Sequence, residues 1–181
     1  MKKIILVLLV SLSLSVFSQE SVSKFDLRLG IGSTFLGTGD MFTTAFENEL
    51  NYHINNYFTV SPSIGFAKSN YGVYEFANYT QGNVNIFYSP FKNNKTNDFR
   101  IGLGATYMNY SYSFEFERQT FLNGKDYSRY LFPTENDFGL NVTLENTFKL
   151  SPRLLLGIKA FTQIYTKNIN SGVMVKVGYS L

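Results

Sequence analysis

The stretch FGLNVTLENTFKL, residues 138–150, alternates between apolar and polar side chains along almost its whole length. Its even-numbered positions are apolar except Asn146, and its odd-numbered positions are glycine, polar or charged. Successive side chains of a β-strand point to opposite faces. The stretch therefore predicts a strand with one apolar face and one polar face.

The same alternation recurs in about eight segments after an apolar leader, each about as long as a membrane-crossing strand. They lie at about 24–36, 42–54, 58–66, 79–88, 99–107, 138–150, 153–165 and 172–181. A sheet in lipid must satisfy every backbone group, which requires closure. The pattern predicts an all-β fold: an eight-stranded antiparallel transmembrane β-barrel, an up-and-down meander with lipid outside and a polar lumen. A soluble lipid-binding barrel would need the reverse distribution.

Residues 1–18 predict a signal peptide, because the basic start Met1-Lys2-Lys3 precedes an apolar run and cleavage fits before Gln19. The alternative, a single transmembrane anchor, needs about 20 apolar residues, which is more than this run supplies. Residues 19–181 then form one barrel domain. Removing Lys2 and Lys3 leaves a net charge of 16 − 2 − 13 = +1, too little to indicate nucleic-acid binding. The absence of cysteine argues against a lipoprotein anchor, disulfides and thiolate metal sites.

Charges of both signs fall on the predicted lumen face. They are Asp26, Arg28, Glu47, Glu49, Arg100, Glu145, Lys149, Lys159 and Lys176. Strand pairing places Arg28 opposite Glu49, and Glu145 opposite Lys159 with Lys176 close by. Because an eight-stranded barrel is just wide enough for side chains to fill, buried charges need partners. We expect an ion network of these five residues that plugs the lumen; the alternative is a gate or ion path whose salt bridges rearrange.

The pairing of the fifth and sixth strands is predicted from Asn123-Gly124, the strongest short hairpin signal in the chain. If these two residues form the turn, Phe99 lies opposite Phe148 and the apolar faces match along both strands. Proline cannot donate to a strand ladder, so we expect a bulge at Pro62 and a break or bulge at Pro133.

Residues 113–133 are predicted to project as an extracellular hairpin, because the two strands exceed the ~9–11 residues needed to cross a membrane. The segment is rich in tyrosine and phenylalanine, and aromatic residues dominate the energetics of interfaces. We expect partner contacts through Phe116, Phe121, Tyr127 and Tyr130. The unpaired strand edges suit partner binding by strand addition. The alternative is a membrane-interface girdle with ordinary loop packing.

No motif in the sequence indicates catalysis or cofactor binding. His53 is the only histidine, which excludes a multi-histidine metal site and makes a catalytic dyad with Glu49 a weak reading. Gly30-Ile31-Gly32 and Gly102-Leu103-Gly104 alternate within strands, so they predict room for larger lumen side chains and not phosphate loops. We expect a non-enzymatic protein with no catalytic residue, cofactor or metal.

Residues 19–181 as a whole resemble the small outer-membrane β-barrels of Gram-negative bacteria, the OmpA/OmpX type and the outer membrane protein beta-barrel domain family. The resemblance rests on the leader, the alternating segments and the turn Leu150-Ser151-Pro152-Arg153-Leu154-Leu155-Leu156-Gly157. It implies a monomer in the cell outer membrane, with both mature termini periplasmic and with outer-membrane lipids and the assembly machinery as partners. The expected role is structural or surface interaction, with an extracellular protein or glycan as candidate ligand. The alternative is a narrow or gated pore for ions or small solutes.

Overall fold

The computed structural model describes residues 24–36, 41–70, 76–91, 96–120 and 126–181. These residues form the following strands: β1 (Phe25–Leu36), β2 (Met41–His53), β3 (Phe58–Asn70), β4 (Phe76–Tyr88), β5 (Asn97–Tyr112), β6 (Phe114–Thr120), β7 (Asp126–Leu131), β8 (Thr134–Lys149), β9 (Leu154–Tyr165) and β10 (Ile169–Ser180). No helix in this part of the chain is long and apolar enough to cross a membrane.

Eight of the strands close into one antiparallel barrel with the neighbour order β1-β10-β9-β8-β5-β4-β3-β2. The remaining two, β6 and β7, pair only with each other and form a two-stranded hairpin inserted between β5 and β8. Closure gives every barrel strand a neighbour on each side, which removes the unpaired edges of an open sheet. The predicted eight-stranded up-and-down barrel is confirmed.

The strand register sets the tilt of the barrel strands. Paired residues followed once around the barrel lead from Phe148 in β8, through Leu29 in β1, to Phe138 in β8. The displacement, 148 − 138 = 10 residues, is the shear of the barrel. With a rise of about 3.3 Å per residue and about 4.8 Å between strands, eight strands with this shear tilt by about 40° from the axis.

The two faces of the strands are as different as the alternation predicts. Leu103 and Leu144 point outward and are 60% and 48% exposed, whereas Thr143 points into the lumen and is fully buried. Exposed large apolar side chains continue around the outer wall on all eight strands, among them Leu29, Leu50, Leu156 and Val175. A continuous apolar belt of this kind is the surface that transmembrane barrels present to lipid.

The predicted pairing of the fifth and sixth strands has the correct parity but is wrong by two residues. Phe99 lies opposite Asn146, not Phe148. Near the tip of the hairpin, Thr120 pairs with Asp126, which is a shift of one residue from the predicted register. A bulge between Glu115 and Glu117 shifts the register by one further residue before the chain reaches the barrel. The apolar faces still match because the side-chain period is two. The turn residues Asn123-Gly124 lie outside the described residues.

The two predictions for proline have different outcomes. The bulge expected at Pro62 is wrong: β2 and β3 keep one register on both sides of it, with Glu49 opposite Ser63 and Tyr52 opposite Val60. Only the two pairs between these positions are missing from the ladder, so the lost donor costs local hydrogen bonds and no change of register. The break expected at Pro133 is confirmed, because Phe132 and Pro133 separate β7 from β8.

Candidate functional site

The barrel has two ends, which we name by what they carry. The terminal rim, where β1 begins and β10 ends, contains residues 24–25, 53–58, 88–91, 96–98, 149–154 and 180–181. The hairpin rim is the opposite end, where β6 and β7 leave the barrel, and it includes residues 110–113, 132–136 and 165–169. The lumen between them is the first candidate site, and the hairpin is the second.

Eight buried charges form a connected network in the half of the lumen nearer the terminal rim. Four are carboxylates, Asp26, Glu47, Glu49 and Glu145, and four are cations, Arg28, Arg100, Lys159 and Lys176. All eight side chains are at most 3% exposed. The charges balance, so the network meets the requirement that buried ions be paired. We call this set the ion network.

Glu49 is the centre of the ion network. Its two carboxylate oxygens lie 2.7 Å from Arg100 Nη2, 2.5 Å from Lys176 Nζ and 3.3 Å from Lys159 Nζ. Glu145 joins Arg28 to the same centre, since it pairs with Arg28, with Arg100 at 2.8 Å and with Lys176 at 3.3 Å. Glu49 and Glu145 are thus each held by three cations, which fix their positions from more than one wall of the barrel.

All five residues predicted for the lumen lie in the ion network, but two of the predicted ion pairs are wrong. Arg28 lies opposite Glu49 and Lys159 opposite Glu145 in the register, as expected. Among the described residues, however, Lys159 pairs with Glu47 and Glu49, and Arg28 pairs with Asp26 and Glu145. Long side chains reach across a narrow lumen, so Lys159 and Arg28 each contact a carboxylate on another wall, and Arg28 also pairs with Asp26 on its own strand.

Lys149 is a further correction. Its position in the alternation places it on the lumen face, but it lies at the last residue of β8 and is exposed at the terminal rim. Sequence parity identifies the face of a residue and not its depth, and at a strand end the lumen face opens to solvent.

The half of the lumen nearer the hairpin rim contains a layer of apolar side chains, which the sequence reading did not predict, together with buried polar residues such as Thr34, Thr43 and Asn170. Its core is Leu36, Ala45, Ala67, Ala77, Tyr79, Met108, Tyr110, Phe161, Tyr165 and Met174. Between this apolar layer and the ion network lie amides that bond across the lumen, such as Gln163 Nε2 to Asn83 Oδ1 at 2.9 Å. The sequence did contain a sign of this layer. Apolar residues such as Met108 occupy positions where the alternation predicts a polar, lumen-facing side chain.

Glycine makes room for the lumen side chains at one tightly packed point. Phe87 is fully buried, and the guanidinium carbon of Arg100 lies 4.0 Å from the centre of its ring. A Cβ atom on Gly102, which faces Phe87 across β4 and β5, would come within 2.5 Å of that ring. The predicted role of the Gly102 segment, space for a larger neighbour, agrees with this geometry.

His53 contacts the ion network at its end nearest the terminal rim. Its Nε2 lies 2.7 Å from Asp26 Oδ2 and its Nδ1 lies 2.9 Å from Thr59 Oγ1. Both ring nitrogens are therefore engaged by barrel side chains. Among the residues that the structure describes, no group of three or more His, Cys, Asp or Glu side chains is arranged to hold a metal ion.

A second polar cluster lies at the hairpin rim. It is beyond Phe138, the outward-facing apolar residue of β8 that is nearest to this rim. Glu135 accepts hydrogen bonds from Tyr110 at 3.0 Å, Tyr112 at 3.3 Å and the Lys167 ammonium at 2.9 Å. The bond from Lys167 and those from the tyrosines hold the pKa of Glu135 below its usual range. Burial, together with the neighbouring Glu135, raises the pKa of Tyr110 to about 12. The cluster ties β5 and β8 to the turn between β9 and β10.

The base of the hairpin is anchored to β4. Ser113 is buried, its amide donates to the Phe76 carbonyl at 3.1 Å, and its hydroxyl accepts from the Phe76 amide at 3.1 Å. Phe132, on the other arm, stacks on Phe76 with ring centres 6.0 Å apart and planes 9° apart. Both arms are therefore held against the same residue where they leave the barrel.

Comparison with known proteins was made by sequence and by structure. No family model matches the sequence, and no curated protein matches it. Neisserial surface protein A has a similar structure, with a TM-score of 0.64 and 13% sequence identity over 90% of this chain and 100% of that one. Ail of Yersinia pestis matches with a TM-score of 0.60 and 12% identity over 88% of this chain and 99% of that one. OprG of Pseudomonas aeruginosa matches with a TM-score of 0.56 and 11% identity over 87% of this chain and 95% of that one.

The fold is that of the eight-stranded outer-membrane barrels. At these identities the likeness concerns the path of the chain alone, and it confirms the predicted resemblance in fold. The match extends over nearly the full length of each of the three structures.

The four residues predicted to contact a partner are described unequally. Tyr130 is partly exposed and lies opposite Glu115 in the hairpin. The backbones of Phe116 and Tyr127 belong to β6 and β7, but their side chains lie outside the described part of the structure, as does the whole of Phe121. Leu131 and Phe132, which were not predicted as contacts, are 43% and 57% exposed at the hairpin base.

Proposed function

We propose that this protein is a non-enzymatic outer-membrane barrel with a closed lumen, and that it acts through its surface hairpin. The proposal rests on two features that occur together. The lumen is filled by buried side chains, and a hairpin extends beyond the end of the barrel wall. A lumen occupied in this way supports a structural scaffold, and the hairpin is the element left to contact other molecules.

The apolar belt and the outer-membrane fold support placement in the outer membrane, after export by residues 1–18. The terminal rim would then face the periplasm and the hairpin rim the cell exterior. Outer-membrane barrels carry short turns on the periplasmic side and longer loops outside. The connections 54–57 and 150–153 at the terminal rim are short, and the largest connection, 113–133, is at the other end. Closure leaves the barrel no free strand edge for pairing with a second copy, which supports a monomer. Its partners during folding would be the outer-membrane assembly machinery.

The closed lumen favours a scaffold over a pore. An ion on its way through would have to pass the eight charges of the ion network and then the apolar layer around Met108 and Phe161. Opening a path means separating buried ion pairs, and each separated ion costs several kcal/mol, roughly.

The hairpin suits a partner recognised by aromatic contacts and strand pairing. Ail has been crystallised with the heparin analogue sucrose octasulfate, so a glycan is one candidate ligand. Residues 113–133 of this chain contain three acidic and three basic residues and so carry no excess positive charge for a polysulfated glycan. The balance supports a protein or a weakly charged glycan, bound by exposed rings and by the free edges of β6 and β7.

Single-channel recording in planar bilayers tests the closed lumen. We expect no regular conductance steps from the wild type. The variant Phe87→Ala/Arg100→Ala/Met108→Ala/Phe161→Ala removes large side chains from both the ion-network half and the apolar layer. It should conduct, which would show that inserted protein is detectable. Regular steps from the wild type would instead support the narrow or gated pore.

A hairpin deletion that joins Ser113 to Pro133 through Asn-Gly tests the class of partner, by asking whether the hairpin binds a polysulfated glycan. Heparin resin at physiological salt serves as the anionic-glycan probe. We expect the wild type and the deletion variant to elute together, because the hairpin is neutral. Strong retention that is lost with the hairpin would contradict the proposed partner class.

A further inference from the structure

Among the residues that the structure describes, the terminal rim exposes basic side chains and no acidic side chain. Lys24, Lys149 and Arg153 are exposed there. The two acidic residues that the structure describes near this rim, Asp26 and Asp98, are 2% and 3% exposed. Asp26 is neutralised by Arg28, and Asp98 accepts a hydrogen bond from Ser89 at 2.9 Å. Because neither of these acidic side chains reaches the surface, the charged side chains that the structure shows exposed in this part of the rim are basic.

These three basic residues lie on neighbouring strands and not around the whole rim. Lys149 ends β8 and Arg153 precedes β9. The Arg153 carbonyl accepts from the Ser180 amide at 2.8 Å, and the Phe25 carbonyl, next to Lys24, accepts from the Leu181 amide at 3.0 Å. They therefore follow one arc across β8, β9, β10 and β1. We call Lys24, Lys149 and Arg153 the basic arc.

Arg153 lies against the outer wall of the barrel. Its Nη1 donates to the Tyr179 hydroxyl at 3.2 Å, and Tyr179 faces outward on β10. The wall directly below the arc is apolar and exposed, formed by Phe25, Phe148, Leu150, Leu154 and Leu181. A guanidinium at the rim edge of an apolar wall is well placed to bind a lipid phosphate while the acyl chains of the same lipid contact the wall.

We propose that the basic arc binds the headgroups of anionic phospholipids in the leaflet that surrounds the terminal rim. Arg153 would hold a phosphate together with the Tyr179 hydroxyl, Lys149 and Lys24 would add charge, and the apolar wall would pack against the acyl chains. The assignment rests on the proposed membrane placement, which makes this the periplasmic leaflet. The described part of the hairpin rim differs, since its exposed cations Arg129 and Lys167 are mixed with Glu115, Glu135 and Asp137.

Retention of lipid by the folded, full-length barrel tests the proposal. Purified protein in detergent is mixed with equal amounts of dimyristoyl phosphatidylglycerol and dimyristoyl phosphatidylcholine, and the bound lipids are counted by native mass spectrometry. We expect the wild type to prefer phosphatidylglycerol. Each lost charge should lower this preference by about fivefold.

Three variants make the test specific. Lys149→Gln/Arg153→Gln should lose the preference, and Lys24→Gln/Lys149→Gln should weaken it while leaving the Arg153–Tyr179 bond in place. Lys68→Gln/Arg129→Gln removes the same charge from the hairpin half and should behave as the wild type. Gel mobility without heating shows that each variant is folded.

An unchanged preference in both arc variants, or no preference in the wild type, would overturn the proposal. Displacement of the lipid by an equal amount of glycerophosphoglycerol would also overturn it, because the site would then take a soluble anion. A wild type that conducts ions but still retains phosphatidylglycerol would overturn the closed-lumen scaffold and leave the basic arc standing.

Discussion

Lys159 Nζ lies 2.7 Å from Glu47 Oε1, although 112 positions separate the two residues in the chain. The strand register places Lys159 beside Glu145 instead. The ammonium thus reaches over two intervening strands, β10 and β1, to the wall formed by β2. This contact links distant parts of the sequence through the lumen, and it makes the barrel interior a single packed unit.

A double-mutant cycle on Glu47→Gln and Lys159→Met should give a coupling energy of about 0.5–3 kcal/mol, because each single change leaves an uncompensated buried charge. The matched cycle on Glu145→Gln and Lys159→Met should give a smaller one, since those residues are register partners without an ion pair. Urea unfolding in lipid vesicles measures both. Equal coupling in the two cycles would show that register, and not contact, governs the network.

Arginine at Leu144 should destabilise the barrel by about 2–4 kcal/mol if this outward side chain faces the middle of the hydrocarbon. Arginine at Leu150, which is 59% exposed at the terminal rim, should cost about 0–1 kcal/mol because a charge near the interface reaches water. The same unfolding experiment compares them, and equal losses for Leu144→Arg and Leu150→Arg would place the membrane elsewhere.

Gly102→Ala should destabilise the protein by about 1–3 kcal/mol, because the new Cβ would collide with the Phe87 ring. Phe87→Leu in the same chain should recover part of the loss. At Gly82, an added Cβ meets no atom within 4 Å. Gly82→Ala should therefore be neutral or stabilising by about 0.4–1 kcal/mol. Thermal unfolding measures all three, and a similar loss at both glycines would contradict the packing around Phe87.

The bridge between Glu135 and Lys167 should make the hairpin rim sensitive to acid. The pKa of Glu135 is lowered in the folded protein from its ordinary value of 4.5. A lowered carboxyl pKa adds stability above the ordinary value, and this stability is lost as the pH falls through the folded-state value. The difference in unfolding midpoint between the wild type and Glu135→Gln should be present at pH 7 and absent in strong acid. A difference that persists in acid would assign the effect to packing.

Amide hydrogen exchange should show protection in β6 and β7, because the two strands are paired from Thr120–Asp126 to Phe114–Leu131. Protection should be weakest near the bulge between Glu115 and Glu117. The barrel strands serve as the internal reference for full protection. Fast and uniform exchange across 113–133 would describe an unstructured loop and remove the hairpin as an ordered contact surface.

Period-two alternation determined the barrel. Whether Leu144 faces out and Thr143 faces in depends only on local backbone geometry, which a single strand already contains. The need to satisfy backbone groups in lipid then requires closure, so the closed barrel could be read from the sequence. Eight of the nine predicted lumen charges were also correct, and Lys149 was not because parity does not give depth. The parity of the β5–β8 pairing was also predictable for this reason.

Only the tertiary structure decided which charged atoms meet. A two-residue change of register leaves the faces unchanged, so nothing in the alternation reveals the bulge at Glu115–Glu117 or the pairing of Phe99 with Asn146. The partners of Lys159 and Arg28 depend on the shear, which sets the depth of each residue, and on side chains long enough to cross the lumen. The basic arc has the same origin, because Lys149 and Arg153 are near in sequence but meet Lys24 only when β1 and β10 close the barrel.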